Sequence, residues 1–153
     1  MRPRLEALLP GHLGVDLSSA DETERMDITD IPHPDDSFDV IYCSHVFEHI
    51  PDDRRAMSEL FRVLRPSGWA VLLVPITTEE TIEDASATDS ETRLRLFGQE
   101  DHVRRYGPDF ADRLRESGFR VEKFSAGDFL DKEELHRMAV HTEAAGVIFY
   151  CTE

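Results

Sequence analysis

DITDIPHPDDSFDVIYCSHVFEHIPDDRRAMSELFRVLRPSGWAVLLVP, from Asp27 to Pro75, reads in order as an acidic loop, a buried strand, a polar turn, an amphipathic helix, a Pro-Ser-Gly stop and a second buried strand. Asp39 to Ser44 (DVIYCS) is a near-continuous apolar run without alternation, the pattern of a parallel strand covered on both faces. Asp52 or Asp53 can cap the following helix, where Met57, Leu60, Phe61 and Leu64 recur at helical spacing and Pro66-Ser67-Gly68 marks the end. Trp69 to Pro75 then supplies the next strand. Strand, helix and strand in that order predict a right-handed crossover between parallel strands, so the fold class is α/β: a Rossmann-like, doubly wound, mostly parallel sheet in three α/β/α layers.

On the amino side, Arg4 to Leu9 suits a short helical turn closed by Pro10-Gly11, and Leu13 to Leu17 suits a brief strand that carries Asp16 near its carboxyl end. Beyond Pro75, residues 77–93 (TTEETIEDASATDSETR) are polar and acidic over 17 residues, too long for an ordinary connection, and read as a lid, a partner-binding arm or a disordered insert. Asp109 to Ser117 is a helix candidate entered through Gly107-Pro108, with Phe110 and Leu114 four residues apart and Gly118 suited to its left-handed end. Phe119 to Phe124 reads as a strand. Asp131 and Glu134 form a capping box for a helix carrying Leu135 and Met138, and Gly146 to Cys151 reads as the last strand.

A chain of 153 residues with 40% hydrophobic content fits a single domain, 1–153. Its 17 basic and 32 acidic residues leave a net charge of −15, which repels phosphate backbones and anionic lipid, so neither a nucleic-acid nor a membrane partner is expected. Cys43 and Cys151 both sit in apolar runs and read as two packed thiols in a reducing, cytoplasmic protein. No apolar run approaches the ~18 residues of a bilayer span, and the first residues lack the features of an export signal.

With those elements placed, the chain resembles the class I S-adenosylmethionine-dependent methyltransferases from their second strand onward, most closely the broad group of small-molecule-type domains (type 11). The resemblance rests on Val15-Asp16-Leu17, on Asp27 to Ile50 and on RVLRPSGWAVLLVP at Arg62 to Pro75, and it covers most of residues 13–151. It implies transfer of a methyl group from S-adenosylmethionine to a small-molecule or protein-bound acceptor. Asp16 then matches the carboxylate that accepts the ribose hydroxyls. Asp27 with Ile28 matches the adenine contact, Asp30 being a second candidate. Ser44 and His45 fall beside the methionine portion, with Phe47 and Glu48 slightly further on. His45 is the candidate base, since methyl transfer needs alignment and in some cases removal of a proton.

Each of these has a plainer reading. Asp16, Asp27 and Asp30 can serve as turn or helix caps. His45 and Glu48 can stabilise the start of their own turn. His102, Arg104, Arg105 and Tyr106 concentrate cations in an acidic chain where the family covers its acceptor pocket, which makes them the substrate-side candidates. They can equally neutralise neighbours such as Glu100 and Asp101, surface pairs that contribute ~0–1 kcal/mol each. His45-Val46-Phe47-Glu48-His49 matches the H-x-x-E-H spacing of an inverted zinc-protease motif. Pro51 biases Ile50 away from helix and a buried strand precedes the motif, so no metal ligands are assigned.

The departure from the family lies upstream. Its glycine-rich cofactor loop precedes the acidic residue by roughly 20 residues, and Asp16 leaves no chain for that loop or for the first strand. Three explanations follow: a fragment of a longer enzyme, protomers that complete each other's sheet as a homodimer, or a domain that has lost its cofactor and acts as a catalytically inactive scaffold. In that last case the exposed strand edges and the 77–93 arm would bind a partner.

Overall fold

The computed structural model describes residues 11–16, 24–137 and 146–153. Strand β1 is Val15–Asp16, β2 Glu24–Arg25 and β3 Phe38–Ser44. A 3-10 turn, Phe47–His49, leads to helix α1, Asp53–Val63, and to β4, Leu64–Leu73. Then follow β5 (Ile82–Glu83), α2 (Ser90–Phe97), β6 (Arg104–Arg105), α3 (Phe110–Glu116) and β7 (Arg120–Phe124). A second 3-10 turn (Ala126–Asp128), α4 (Lys132–Arg137) and β8 (Ile148–Thr152) complete the described chain. The expected turn at Arg4 to Leu9, Leu17 at the end of the first strand and Met138 lie outside the described residues.

The main sheet has the order β3-β4-β8-β7. β3 and β4 are parallel, and β8 is antiparallel to both β4 and β7, so three of the four strands share one direction and only the last in sequence is reversed. β1 and β2 pair in parallel as a separate two-stranded sheet. A doubly wound order would place a central strand between β1 and β3; among the described residues none lies there, and β3 is an edge strand.

Burial alternates along β3. Cys43 is 8% exposed, whereas Tyr42 is 53% and Val40 43%. The two helices packed on the sheet, α1 and α3, also touch each other and therefore share one face. They cover Cys43, Ala70, Leu72, Phe149 and Cys151, which form one core with Met57, Leu60, Phe110 and Leu114. On the other face Trp69 stacks on Tyr150, centroids 5.9 Å apart, and stays exposed beside Val40 and Tyr42. The expected cover on both faces of DVIYCS is thus met on one face by the described helices, because burial follows the helices present and not the apolar character of the strand. Both cysteines are free and buried, and desolvation pushes each thiol up to about 12.

The Pro-Ser-Gly stop behaves differently from its expected role. Strand pairing resumes at Leu64, directly after the helix, and the register jumps from Phe38↔Leu64 to Val40↔Trp69, so Arg65–Gly68 bulge out of the ladder. Gly68 is required there: a Cβ at this position would lie 2.7 Å from the Asp39 carbonyl oxygen. Gly68→Ala is expected to cost about 1–3 kcal/mol through overpacking. A lowered urea midpoint with an unchanged slope checks it.

The 77–93 segment is neither a free arm nor disordered. β5 pairs antiparallel with β6, and Asp89 caps α2 by accepting from Thr92 N. Asp84 accepts from Ser86 N and Oγ, while Asp109 accepts from Thr81 N and Oγ1. Its polar residues satisfy backbone amides that a connection without regular structure would otherwise leave to water, which is why a water-loving sequence takes a fixed path.

Candidate functional site

The site grows from the turn after β3. His45 adopts φ 56°, a left-handed conformation uncommon for a non-glycine residue, and its N–H still donates to Leu73 O at 3.0 Å, so the ladder holds it there. The following 3-10 turn buries Phe47 completely against Phe110, centroids 5.7 Å apart. That anchor draws Glu48 to 2% exposure. Its Oε1 lies 3.4 Å from His45 Nδ1, while Oε2 is buried with no hydrogen-bond partner among the described residues. His49 Nδ1 lies 3.1 Å from Asp101 Oδ2, and the His49 and His102 rings meet edge-on at 4.6 Å.

Arg104 fixes this turn from behind. Its guanidinium donates to the carbonyls of Phe47 (3.0 Å), Ile50 and Pro51 (2.7 Å), and its Nε donates to Glu83 at 3.1 Å. Tyr106 is fully buried and its hydroxyl donates to Asp53 Oδ2 at 2.7 Å; burial pushes that phenol well above its usual range. Arg113 also reaches Asp53, at 3.0 Å, and Glu83. The Arg113 hydrogen bond holds Glu83 below the usual carboxylate range, Arg104 adding to the effect.

Of the four substrate-side candidates, the guanidinium of Arg104 and the hydroxyl of Tyr106 are committed to structure. They serve neither Glu100 nor Asp101 but the distant Asp53 and Glu83. His102 and Arg105 line a cavity of about 310 Å³ with Glu48, Pro75, Thr77 and Phe97, and walls of Arg104 and Tyr106 complete it. Burial and the neighbouring His49 lower the pKa of His102. Sequence reasoning missed the buried Asp53 network; Asp53 was legible only as a cap, and Asp52 takes that role by accepting from Arg55 N at 3.0 Å.

The cofactor-side candidates sit at carboxyl ends of parallel strands, where ligands bind in open α/β sheets. Asp16 ends β1, and its carbonyl accepts from Met26 N at 3.4 Å, which brings Asp27 beside it. Asp27 Oδ1 accepts from Thr29 N (2.8 Å) and Oγ1 (2.7 Å), and these bonds lower its pKa. Ile28 packs against the core. Ser44 ends β3, and the His45 side chain is 62% exposed. Asp30 Oδ1 lies at 4.0 Å from Arg55, a surface contact. A carboxylate keeps acceptor sites beyond two bonds on one oxygen, and Asp27 takes its two bonds from Thr29 on Oδ1. The described residues provide no glycine-rich cradle for the amino-acid part.

Residues 12–72 match the family model described as a methyltransferase domain. The uncharacterized methyltransferase YcgJ of Bacillus subtilis is 39% identical over 54 residues, 35% of this chain and 21% of that protein. The ubiquinone biosynthesis O-methyltransferase of Thiobacillus denitrificans is 25% identical over 114 residues, 72% of this chain and 48% of that protein. This chain therefore spans less than half the length of either curated relative. Among solved structures, the Burkholderia thailandensis 1,6-didemethyltoxoflavin-N1-methyltransferase, with S-adenosylhomocysteine bound, superposes with TM-score 0.65 at 14% identity, over 99% of this chain and 67% of that one. Residues 12–72 are thus similar to a methyltransferase domain, and the chain shares the fold of S-adenosylmethionine-dependent methyltransferases.

Proposed function

We propose that the chain binds S-adenosylmethionine across the carboxyl ends of β1, β2 and β3 and transfers its methyl group to a small-molecule or protein-bound acceptor. The observation that supports this reading is that Asp16, Asp27 and Ser44-His45 lie at or just past those strand ends, with His45 Nδ1 3.4 Å from Glu48, which lines a cavity of about 310 Å³. Asp16 would hold the ribose, Asp27 and Ile28 the adenine, and Ser44 and His45 the methionine portion. His102 and Arg105 would face the acceptor, with Arg104 and Tyr106 fixing the wall behind them. His45 is the nearest candidate for taking the acceptor's proton, its imidazole exposed and its Nδ1 beside Glu48. Two buried free thiols suit a reducing compartment, and we assign the chain to the cytoplasm. No helix among the described residues is long and apolar enough to cross a membrane.

Isothermal titration of the purified chain with S-adenosylmethionine and S-adenosylhomocysteine tests this reading, and binding is expected. Asp16→Ala should weaken it by roughly 10–100-fold, the loss of one charge-assisted hydrogen-bond set. Equal affinity in the variant would remove Asp16 from the site. A second reading, a non-catalytic scaffold, is favoured by the open edge of β3, whose Val40 and Tyr42 are exposed. A stable homodimer in solution that binds neither ligand would select it.

A further inference from the structure

The geometry points to a divalent transition-metal site of the zinc class formed by Glu48, His49 and His102, at the wall of the cavity. Each of the three offers one ligand atom, and these atoms lie within 4.8 Å of one another. Tetrahedral ligands at ordinary Zn–N and Zn–O lengths stand about 3.3 Å apart, so side-chain rotations of an ångström or so would close the set. Two imidazoles and one carboxylate is a donor combination that suits zinc and related first-row ions.

Two further observations single out this cluster. Glu48 is 2% exposed with Oε2 unpartnered among the described residues, a buried carboxylate oxygen that demands a cation or a donor. His49 Nδ1 faces the Asp101 carboxylate, which leaves Nε2 for a metal. Histidines that bind metals characteristically hold a carboxylate or carbonyl at the second nitrogen, and His49 does so here. Arg104, which fixes the carbonyls around the turn, keeps Glu48 and His49 in place.

In H-x-x-E-H the two histidines would share a helix face. Here residues 47–49 form a 3-10 turn, and His102 takes the place that the motif gives to His45. Three protein ligands leave coordination positions toward the cavity, for water or for an oxygen or nitrogen atom of whatever the cavity holds. This site stands on its own geometry and does not depend on methyl transfer.

Zinc titrated into the chelator-treated, desalted 153-residue chain, in the absence of S-adenosylmethionine, tests the assignment. One equivalent is expected to bind, and Glu48→Gln and His102→Ala should each weaken binding by at least about tenfold. Asp101→Asn changes an exposed residue outside the ligand set and should weaken it roughly 10–100-fold while leaving the metal-free unfolding midpoint unchanged. It thereby separates a metal role from a folding role. His136→Ala, an exposed histidine on α4, should have no effect. Failure of the parent chain to bind zinc, equal affinity in Glu48→Gln, or equal loss in His136→Ala would overturn the site.

Discussion

Thermal unfolding of Asp53→Ala is expected to occur roughly 6–20 °C below that of the parent chain. Asp53 is 3% exposed, and its Oδ2 receives the Tyr106 hydroxyl at 2.7 Å and Arg113 at 3.0 Å, with Arg104 Nε at 3.7 Å. Removing the carboxylate leaves two buried guanidinium groups to share Glu83, which is half in solvent, and leaves a fully buried phenol with only the Phe47 carbonyl at 3.4 Å. Deleting one partner of a buried charge network costs about 3–5 kcal/mol, because the remaining charges stay desolvated. For a domain of this size each kcal/mol moves the midpoint by about 2–4 °C. Tyr106→Phe deletes one hydroxyl and keeps both ion pairs, so its loss should be clearly smaller. A shift below about 2 °C for Asp53→Ala would show that Glu83 and water replace the carboxylate.

Phe110→Ala is expected to destabilise the chain by a similar about 3–5 kcal/mol through a different cause. The ring is fully buried and meets Tyr106 at 4.7 Å, Phe149 at 4.9 Å and Phe47 at 5.7 Å, so one side chain joins α3, β8, the residue after β6 and the turn that carries Glu48 and His49. Truncation leaves a cavity among aromatic rings that cannot collapse without moving the strands. Urea unfolding should show a lower midpoint with an unchanged slope. Phe110→Leu retains most of the volume and should cost appreciably less. Equal losses for the two variants would mean that ring-edge geometry, not volume, sets the penalty.

Much of the fold was legible because local rules fix it. Met57 and Leu60, at helical spacing on α1, are both core residues, and Phe110 and Leu114 four residues apart are both fully buried. Gly118 takes φ 111° at the end of α3, and Asp131 with Glu134 forms the expected reciprocal cap. The path of the 77–93 segment was not legible because polar composition says nothing about whether side chains cap their own backbone. Pro66-Ser67-Gly68 was legible as the end of the helix, which stops at Val63, but not as part of a bulge, because a bulge depends on the partner strand, here the Asp39 carbonyl that crowds Gly68.

The sequence by itself determined the order β3, α1, β4, α3, β7, β8 of the main elements, the α/β class, the carboxyl-end positions of Asp16, Asp27, Ser44 and His45, and the resemblance those positions carry. Periodicity, capping and turn chemistry act over a few residues, so they can be read along the chain. Only the tertiary structure decided that Arg104 and Tyr106 belong to a buried network with Asp53 and Glu83, and that His102 joins Glu48 and His49 across 53 and 54 residues of chain. Such contacts arise from the packing of elements far apart in sequence. Residue spacing carries no record of which buried charge will meet which partner once the core has closed.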